Sequence, residues 1–279
     1  MILAVALLTA FALGGRTVTI KGSDTMVILG QRWAEIYMKT HPGATIQVTG
    51  GGSGTGIAQL IDGATDIAQS SRPMKDPEKQ QLKATRGVAA IEIPTALDGL
   101  VIYVHENNPV VKLTLAQLKA MYQADIINWK DVGGPNAEIV LYSRENNSGT
   151  YTYFKERVLN GEDFAAQCQM LPGTAAIIDE TAKDPNGIGF GGIGYAKGVK
   201  VLSIAADEKS EYSEPTAANI ASTKYPLARY LYWYCAGEPS GDTKKLVQWI
   251  LSDEGQKVVA EVGYYPLPKK TASQEKTGK

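Results

Sequence analysis

The feature that most constrains this chain is a rhythm: strand-like runs alternate with helix-like runs, and a turn rich in Gly, Ser and Thr follows each strand. "TVTIKG" (17–22) reads as a strand, and "ILGQRWAEIYMKTHPG" (28–43) as an amphipathic helix stopped by Pro42-Gly43. "ATIQVTG" (44–50) is the next strand and "GIAQLIDG" (56–63) the next helix. A third strand lies in "TDIAQSSRPM" (65–74), and "KDPEKQQLKATRG" (75–87) is a solvent-facing helix. This alternation predicts a parallel sheet with right-handed crossovers, whose functional loops gather at the carboxyl ends of the strands. "GSDTM" (22–26), "TGGGSGTG" (49–56) and "SSRPM" (70–74) fall at such ends, so they should converge on one crevice.

The alternation then pauses and resumes. "VAAIEIPTALDGLVIYVHENNPV" (88–110) is a long β-rich stretch with an expected break at Asp98-Gly99, and it reads as a crossing into a second domain. Helix, strand and helix follow at 114–123, 137–144 and 151–160. "YPLARYLYWYC" (225–235) is a return crossing, after which helices within 242–263 pack back on the first domain. The expected architecture is α/β: two doubly wound α/β lobes joined by two hinge strands, with a cleft between them. Lobe I covers 17–97 plus 232–268, lobe II covers 98–231, and 269–279 is a flexible polar tail.

Composition narrows what the cleft can hold. Across 279 residues, 44% are hydrophobic and the formal net charge is -1, so the chain is globular and carries no basic field for nucleic acid or anionic membrane. An anion would have to be bound locally. The two histidines, His41 and His105, argue against a histidine-rich zinc site. Cys168 and Cys235 could pair in an oxidising compartment, but two buried thiols fit at least as well. The opening "MILAVALLTAFALGG" is too short to span a bilayer, and Ala10-Phe11-Ala12 supplies an A-x-A-like cleavage site. A signal peptide over 1–12, and hence an extracytoplasmic location, is expected; a buried first strand is the alternative. No cysteine follows the apolar run, which argues against a lipoprotein anchor.

The glycine loop invites a nucleotide reading, and spacing rejects it. A dinucleotide fingerprint started at Gly50 meets Thr55 where its last glycine is needed, and one started at Gly52 meets Ile57. A phosphate loop of the nucleotide-hydrolase kind needs Lys after its last glycine, where Ile57 stands. What remains is a bare anion nest of amides with the Ser53 hydroxyl, or a tight turn in which Ser53 or Thr55 merely caps the helix. "SRENNSGTYTYF" (143–154) repeats Ser-Gly-Thr between a strand and a helix in the other lobe, so the triplets 53–55 and 148–150 would face each other. Arg144, at a strand end, could grip an oxyanion through two charge-assisted hydrogen bonds or simply pair with Glu145. Ser23, Thr25 and the Asp24 carboxylate in one loop, and Ser70, Ser71 and Arg72 in another, fit the same pocket or serve as helix caps.

"GSDTM", "TGGGSGTGI", "DIAQSSRPM", "INWKDVGG" (127–134), "SRENNSGTYTYF" and "GYYPLP" (263–268) together resemble the periplasmic phosphate-binding proteins of high-affinity phosphate ABC transporters, in order and over nearly the whole chain. The resemblance implies a type II periplasmic-binding-protein fold that closes on one inorganic phosphate, delivery to a membrane permease, a monomer, no cofactor and no catalysis. It also implies that the phosphate donors are Thr25, Met26 through its amide, Ser53, Arg144, Ser148, Gly149 and Thr150. Many members carry an aspartate just after the serine of the third loop to accept the proton of the ligand; here that position is Ser71. Asp24 is the nearest substitute acceptor and Asp98 the second. Another tetrahedral oxyanion, sulfate or molybdate, is the competing ligand. A phosphate-ester hydrolase built on Ser53 or Ser148 would need a base or metals, and a binding module without transport would keep the same motifs.

Overall fold

The computed structural model describes residues 16–269, so the expected signal peptide and all but the first residue of the expected tail lie outside it. The first units are β1 (Val18–Gly22), α1 (Val27–Thr40), β2 (Ile46–Thr49), α2 (Ser53–Asp62), β3 (Ile67–Ser70) and α3 (Asp76–Arg86). Next come β4 (Ala90–Val104), β5 (Lys112–Thr114), α4 (Leu115–Tyr122), β6 (Val140–Arg144), α5 (Gly149–Arg157), β7 (Gln169–Leu171) and α6 (Gly173–Lys183). The chain ends through β8 (Gly187–Gly192), β9 (Lys200–Val201), β10 (Ser203–Ala205), α7 (Ala217–Ala221), β11 (Ala228–Ala236), α8 (Gly241–Ile250) and α9 (Asp253–Val262).

The expected βαβ units form. β1 pairs in parallel with both β2 and β3, and α2 and α3 stop on the left-handed glycines Gly63 and Gly87. One curled mixed sheet runs β2-β1-β3-β11-β4-β8-β6-β7, with β9 added on β4. β11 lies antiparallel between β3 and β4, so the two long strands carry the sheet from one half of the molecule to the other. This is the mixed α/β architecture of a type II periplasmic binding protein.

Three expectations need correction. β4 has no break at Asp98-Gly99: it runs on for 15 residues, because Asp98 and Gly99 are held by β11 partners Arg229 and Ala228 while Leu100 onward pairs with β8. The irregularity falls three residues earlier on β4, where Thr95 is the extra residue opposite the step from Leu231 to Tyr232. α2 begins at Ser53 rather than 56, and α5 at Gly149 rather than 151. Gly52, at φ 87°, turns the chain sharply enough for Ser53 to enter the helix, and the Ser148 hydroxyl caps α5 by accepting from the amides of Thr150 and Tyr151. Both Ser-Gly-Thr triplets therefore sit at helix N-termini rather than in open loops.

Apolar burial divides into two main cores. One gathers Val18, Ile20, Leu29, Trp33, Ala96, Leu231, Trp233 and Val259, with Trp33 and Trp233 edge to face at 5.4 Å. The other gathers residues between Leu97 and Leu227, around the stacked Phe154 and Phe190 with Tyr122 edge-on to both. The chain passes between cores at Ala96-Leu97 on β4, and returns between Leu227 and Leu231 on β11. Cys168 is buried in one core and Cys235 in the other, both as free thiols.

Candidate functional site

The loop ends expected to converge do so, at the seam between the cores. Ser23 to Met26 form the turn after β1, Ser53 opens α2, Ser71 follows β3, and Ser148 to Thr150 open α5 from the opposite side. Four hydroxyl residues, Thr25, Ser53, Ser71 and Thr150, are at most 1% exposed. Their oxygens touch in a chain: Thr25 to Thr150 at 2.8 Å, Thr150 to Ser71 at 3.3 Å, and Ser71 to Ser53 at 3.4 Å. Four hydroxyl protons serve three contacts, so at least one proton is left to donate elsewhere. The Ser71 amide also donates to Ser53 Oγ, at 3.1 Å.

The two Ser-Gly-Thr helix starts meet directly. The Gly54 amide, in the first turn of α2, donates to Asn147 O just before α5, at 2.9 Å, and Asn147 Nδ2 donates back to Gly51 O at 3.1 Å. A Cβ on Gly149 would fall 2.3 Å from Ser53 Oγ, and a Cβ on Gly52 would fall 2.6 Å from Asn147 O. Only glycine allows this approach at either place. The positive ends of two helix dipoles thus abut one hydroxyl cluster, an arrangement that favours negative charge.

Arg144 enters from the end of β6 and is 1% exposed. Its Nη1 donates to Thr174 Oγ1 at 2.9 Å and its Nη2 to Asp24 Oδ2 at 2.6 Å, while Nε is buried without a hydrogen-bond partner among the described residues. Burial pulls the Arg144 pKa down from its usual value against the opposing field of Asp24. Each terminal nitrogen thus spends one of its two protons on a protein partner, leaving the Nε proton and one proton on each terminal nitrogen to donate. A buried guanidinium with unused N–H donors, held on the carboxylate of Asp24 next to Thr25 in sequence, suits an anion.

Several expected site residues also have partners within the protein. Both Asp24 oxygens accept from protein, Oδ2 from Arg144 and Oδ1 from the Gly51 amide at 2.8 Å. Asp24 enters the site as the partner of Arg144, and each of its oxygens keeps further acceptor capacity. The Met26 amide donates to Ser23 O inside the turn, at 3.0 Å, and the Met26 side chain lies in a core. Ser70 Oγ donates to Arg72 O at 2.7 Å, closing its own turn. Arg72 is neither at the surface nor in the cluster: it makes a two-point contact with Glu78 of α3, at 2.6 and 2.8 Å, and is 6% exposed. Ser148 accepts two amides as a helix cap, which leaves its own proton free to donate.

The sequence reading missed Arg229 altogether. Its Nε donates to Asp98 Oδ2 at 2.9 Å, Nη1 to Ser71 O at 3.1 Å and Nη2 to Thr150 Oγ1 at 3.1 Å. Asp98 is fully buried, and its other oxygen accepts from the Ile193 amide at 3.0 Å. Burial raises the Asp98 pKa, and Arg229 only partly offsets this. Tyr195 and Tyr264 were missed as well: their hydroxyls donate to Asp24 O at 2.8 Å and Thr25 O at 2.5 Å. Tyr264 lies within the quoted GYYPLP stretch, but nothing local shows its role, since each of these residues acts on a loop far away in sequence.

Fold and site together define a two-lobed solute-binding protein with a polar, hydroxyl-lined cleft and two buried guanidiniums. A family model described as a PBP superfamily domain matches residues 10–254. The phosphate-binding protein PstS of Pseudomonas aeruginosa is 36% identical over 268 residues, spanning 90% of this chain and 83% of that one. Among solved structures, a Clostridium perfringens protein with bound phosphate, assigned as a phosphate ABC transporter substrate-binding protein, aligns with a TM-score of 0.82 at 30% identity, over 91% of this chain and 100% of that chain. An ABC-type phosphate transport receptor from Vibrio cholerae aligns with a TM-score of 0.72 at 31% identity, over 90% and 100% of the two chains. The chain belongs to the PBP superfamily and, within it, to the PstS family of phosphate-binding proteins.

Proposed function

We propose that this chain is the substrate-binding protein of a phosphate ABC importer: it captures inorganic phosphate between its lobes and hands it, unreacted, to a membrane permease. The observation that carries the reading is the cluster of Thr25, Ser53, Ser71 and Thr150, drawn from four separate loops, with the buried Arg144 held on Asp24, next to Thr25 in sequence. Stripping water from a divalent anion is costly, so each ligand oxygen must find several donors. Hydroxyl protons, first-turn amides of α2 and α5, and Arg144 supply donors without a metal. Thr25, Ser53, Arg144, Ser148, Gly149 and Thr150 are the proposed binding residues, with Ser71 in the acceptor position of the third loop.

β4 and β11 are the proposed hinge, with lobe I at 17–97 plus 232–268 and lobe II at 98–231. Open lobes admit the hydrated ion, rotation about the two strands replaces water by fixed donors, and closure is what the permease recognises. An extracytoplasmic location follows from this role. No described helix is long and apolar enough to cross a membrane. The protein acts as a monomer, with no nucleic-acid partner and no catalytic step.

Calorimetry tests the reading on protein first freed of phosphate carried over from expression. Saturable phosphate binding, with sulfate and molybdate far weaker, is the expected result. Absence of phosphate binding, or preference for either other oxyanion, overturns it. Turnover of a chromogenic phosphate ester would reassign the hydroxyl cluster to hydrolysis.

A further inference from the structure

We propose that Arg229 is a second positioning guanidinium of the anion site, acting from the hinge and aimed by Asp98. The inference rests on reading the site as an anion clamp. It extends that reading to a residue that lies on neither lobe's loops.

Position is the first argument. Arg229 and Asp98 are direct Cα partners in the β11–β4 ladder, at the step where both strands pass from one core to the other. Any rotation of the lobes about these strands pivots close to this pair. Their side chains are 3% and 0% exposed, so the pair is removed from water.

Connectivity is the second. One guanidinium reaches Asp98 Oδ2 through Nε and Nη2, at 2.9 and 2.8 Å, the Ser71 carbonyl through Nη1, and the Thr150 hydroxyl through Nη2. Ser71 belongs to the loop after β3 and Thr150 to the first turn of α5, so Arg229 bridges the two sides of the cleft. Asp98 fixes the other flank through the Ile193 amide, and the guanidinium lies 5.3 Å from the ring centre of Tyr153, on α5. A planar fork can make these contacts together; a single ammonium cannot reproduce their directions.

The third argument is proton direction. Thr150 Oγ1 accepts from Arg229, so its own proton must point away from the guanidinium, along the chain of hydroxyls or toward a bound anion. Arg229 thereby sets Thr150 as a donor, and through the Ser71 carbonyl it fixes where the Ser71 hydroxyl stands. Buried ion pairs often add little stability compared with apolar replacements of the same size. Stability alone therefore gives a weak reason for this one, and a charged pair that touches two site hydroxyl residues has a functional reason.

The test separates affinity from stability. Phosphate is titrated by calorimetry into ligand-free wild type, Arg229→Lys, and the double variant Arg229→Met with Asp98→Asn. The double variant removes both charges while leaving an acceptor for the Ile193 amide, and thermal unfolding is followed without ligand. The expected result is a loss of at least about tenfold in phosphate affinity for both variants, with the double variant unfolding near the wild-type temperature. A loss below about fivefold in Arg229→Lys, or in a folded double variant, makes the pair a purely structural hinge contact and overturns the proposal. If the double variant does not fold, the titration of Arg229→Lys on its folded fraction decides alone. Failure of wild type to bind phosphate is a different outcome: it removes the anion-clamp reading itself, and this inference with it.

Discussion

Thr25 and Thr150 stand 125 positions apart, on opposite sides of the cleft, and their hydroxyl oxygens lie 2.8 Å from each other. Neither is more than 1% exposed. Two hydroxyls in contact share one proton between them, so the pair holds the halves together and still leaves a donor. Three contacts cross the seam in this way: hydroxyl to hydroxyl at Thr25 and Thr150, amide to carbonyl at Gly54 and Asn147, and guanidinium to carboxylate at Arg144 and Asp24.

Closure as tight as this gives Gly149→Ala a distinctive signature. The added methyl would sit 2.3 Å from Ser53 Oγ and 2.8 Å from Ser71 Oγ, both across the seam. Gly149 is the first residue of α5, so an added methyl leaves the hydrogen bonds within that helix in place. The variant should keep its unfolding temperature while phosphate affinity drops by about tenfold or more. Small-angle scattering with saturating phosphate should stay at the ligand-free profile. Normal compaction on adding phosphate would show that the lobes do not meet this closely.

Asp24→Asn distinguishes two jobs for one carboxylate. As the partner of the buried Arg144, Asp24 holds the closed form, and its loss leaves that guanidinium without a counter-charge. Breaking such a pair costs ~3 kcal/mol at the low end of the range, which applies because the Asp24 side chain is 19% exposed. Phosphate and sulfate affinities should therefore fall together, with their ratio little changed. If phosphate is lost while sulfate is retained or gains, Asp24 is the acceptor of the ligand's proton after all. Competition titrations with the two anions read this directly.

Much of this arrangement could be read from the sequence because it is local. Strand, glycine turn and helix recur within about thirty residues, and that spacing dictates parallel pairing and puts the turns on one edge. The paired Ser-Gly-Thr triplets were legible for the same reason, although their place inside the helices depended on the φ of Gly52 and on the Ser148 cap. Arg229 was not legible. It sits in an aromatic strand with no polar neighbour to mark it, and its meaning comes from a register pairing with Asp98, 131 residues away. Asp24 was legible as a site residue, but its pairing with Arg144 was not, because nothing local shows that Arg144 reaches it from 120 positions away.

Arg72 and Glu78 form a partly buried, pH-dependent contact outside the cleft. Burial alone would push the Glu78 pKa up, yet the hydrogen bonds from Arg72 and the Lys75 amide, with the charge on Arg72, bring it below the usual value. A carboxyl with a depressed folded pKa binds its proton more weakly in the native state, so its contribution to stability is complete above the unfolded value near ~4.3 and is lost as pH falls through the folded one. Glu78→Gln should be less stable than wild type at neutral pH, by ~3 kcal/mol if the 7%-exposed Arg72 keeps no other partner charge. The gap should close below the ordinary carboxylate range, because wild type then loses the same charge. Chemical denaturation at neutral and acid pH measures it, and a gap that persists undiminished in acid would mean that lost packing, not charge, is the cause.

Ser53→Ala should behave unlike Gly149→Ala, although the methyl added at Gly149 would meet the Ser53 hydroxyl. Ser53 Oγ accepts from the Ser71 amide and contacts the Ser71 hydroxyl, with no access to water. Alanine leaves that amide buried and unsatisfied, at a cost of ~1–3 kcal/mol in stability. It also removes a hydroxyl aimed at an anion, and a hydrogen bond to a charged group contributes ~1.5–3 kcal/mol, or roughly ten- to a hundredfold in affinity. The variant should therefore unfold earlier and bind phosphate more weakly, yet still compact on saturation, since nothing blocks the seam. Unfolding temperature, affinity and scattering measured on the two variants separate a lost donor from a lost closure. If Ser53→Ala keeps wild-type affinity, Ser53 is only a structural acceptor for the loop after β3, and the anion is held by the α5 side and Arg144.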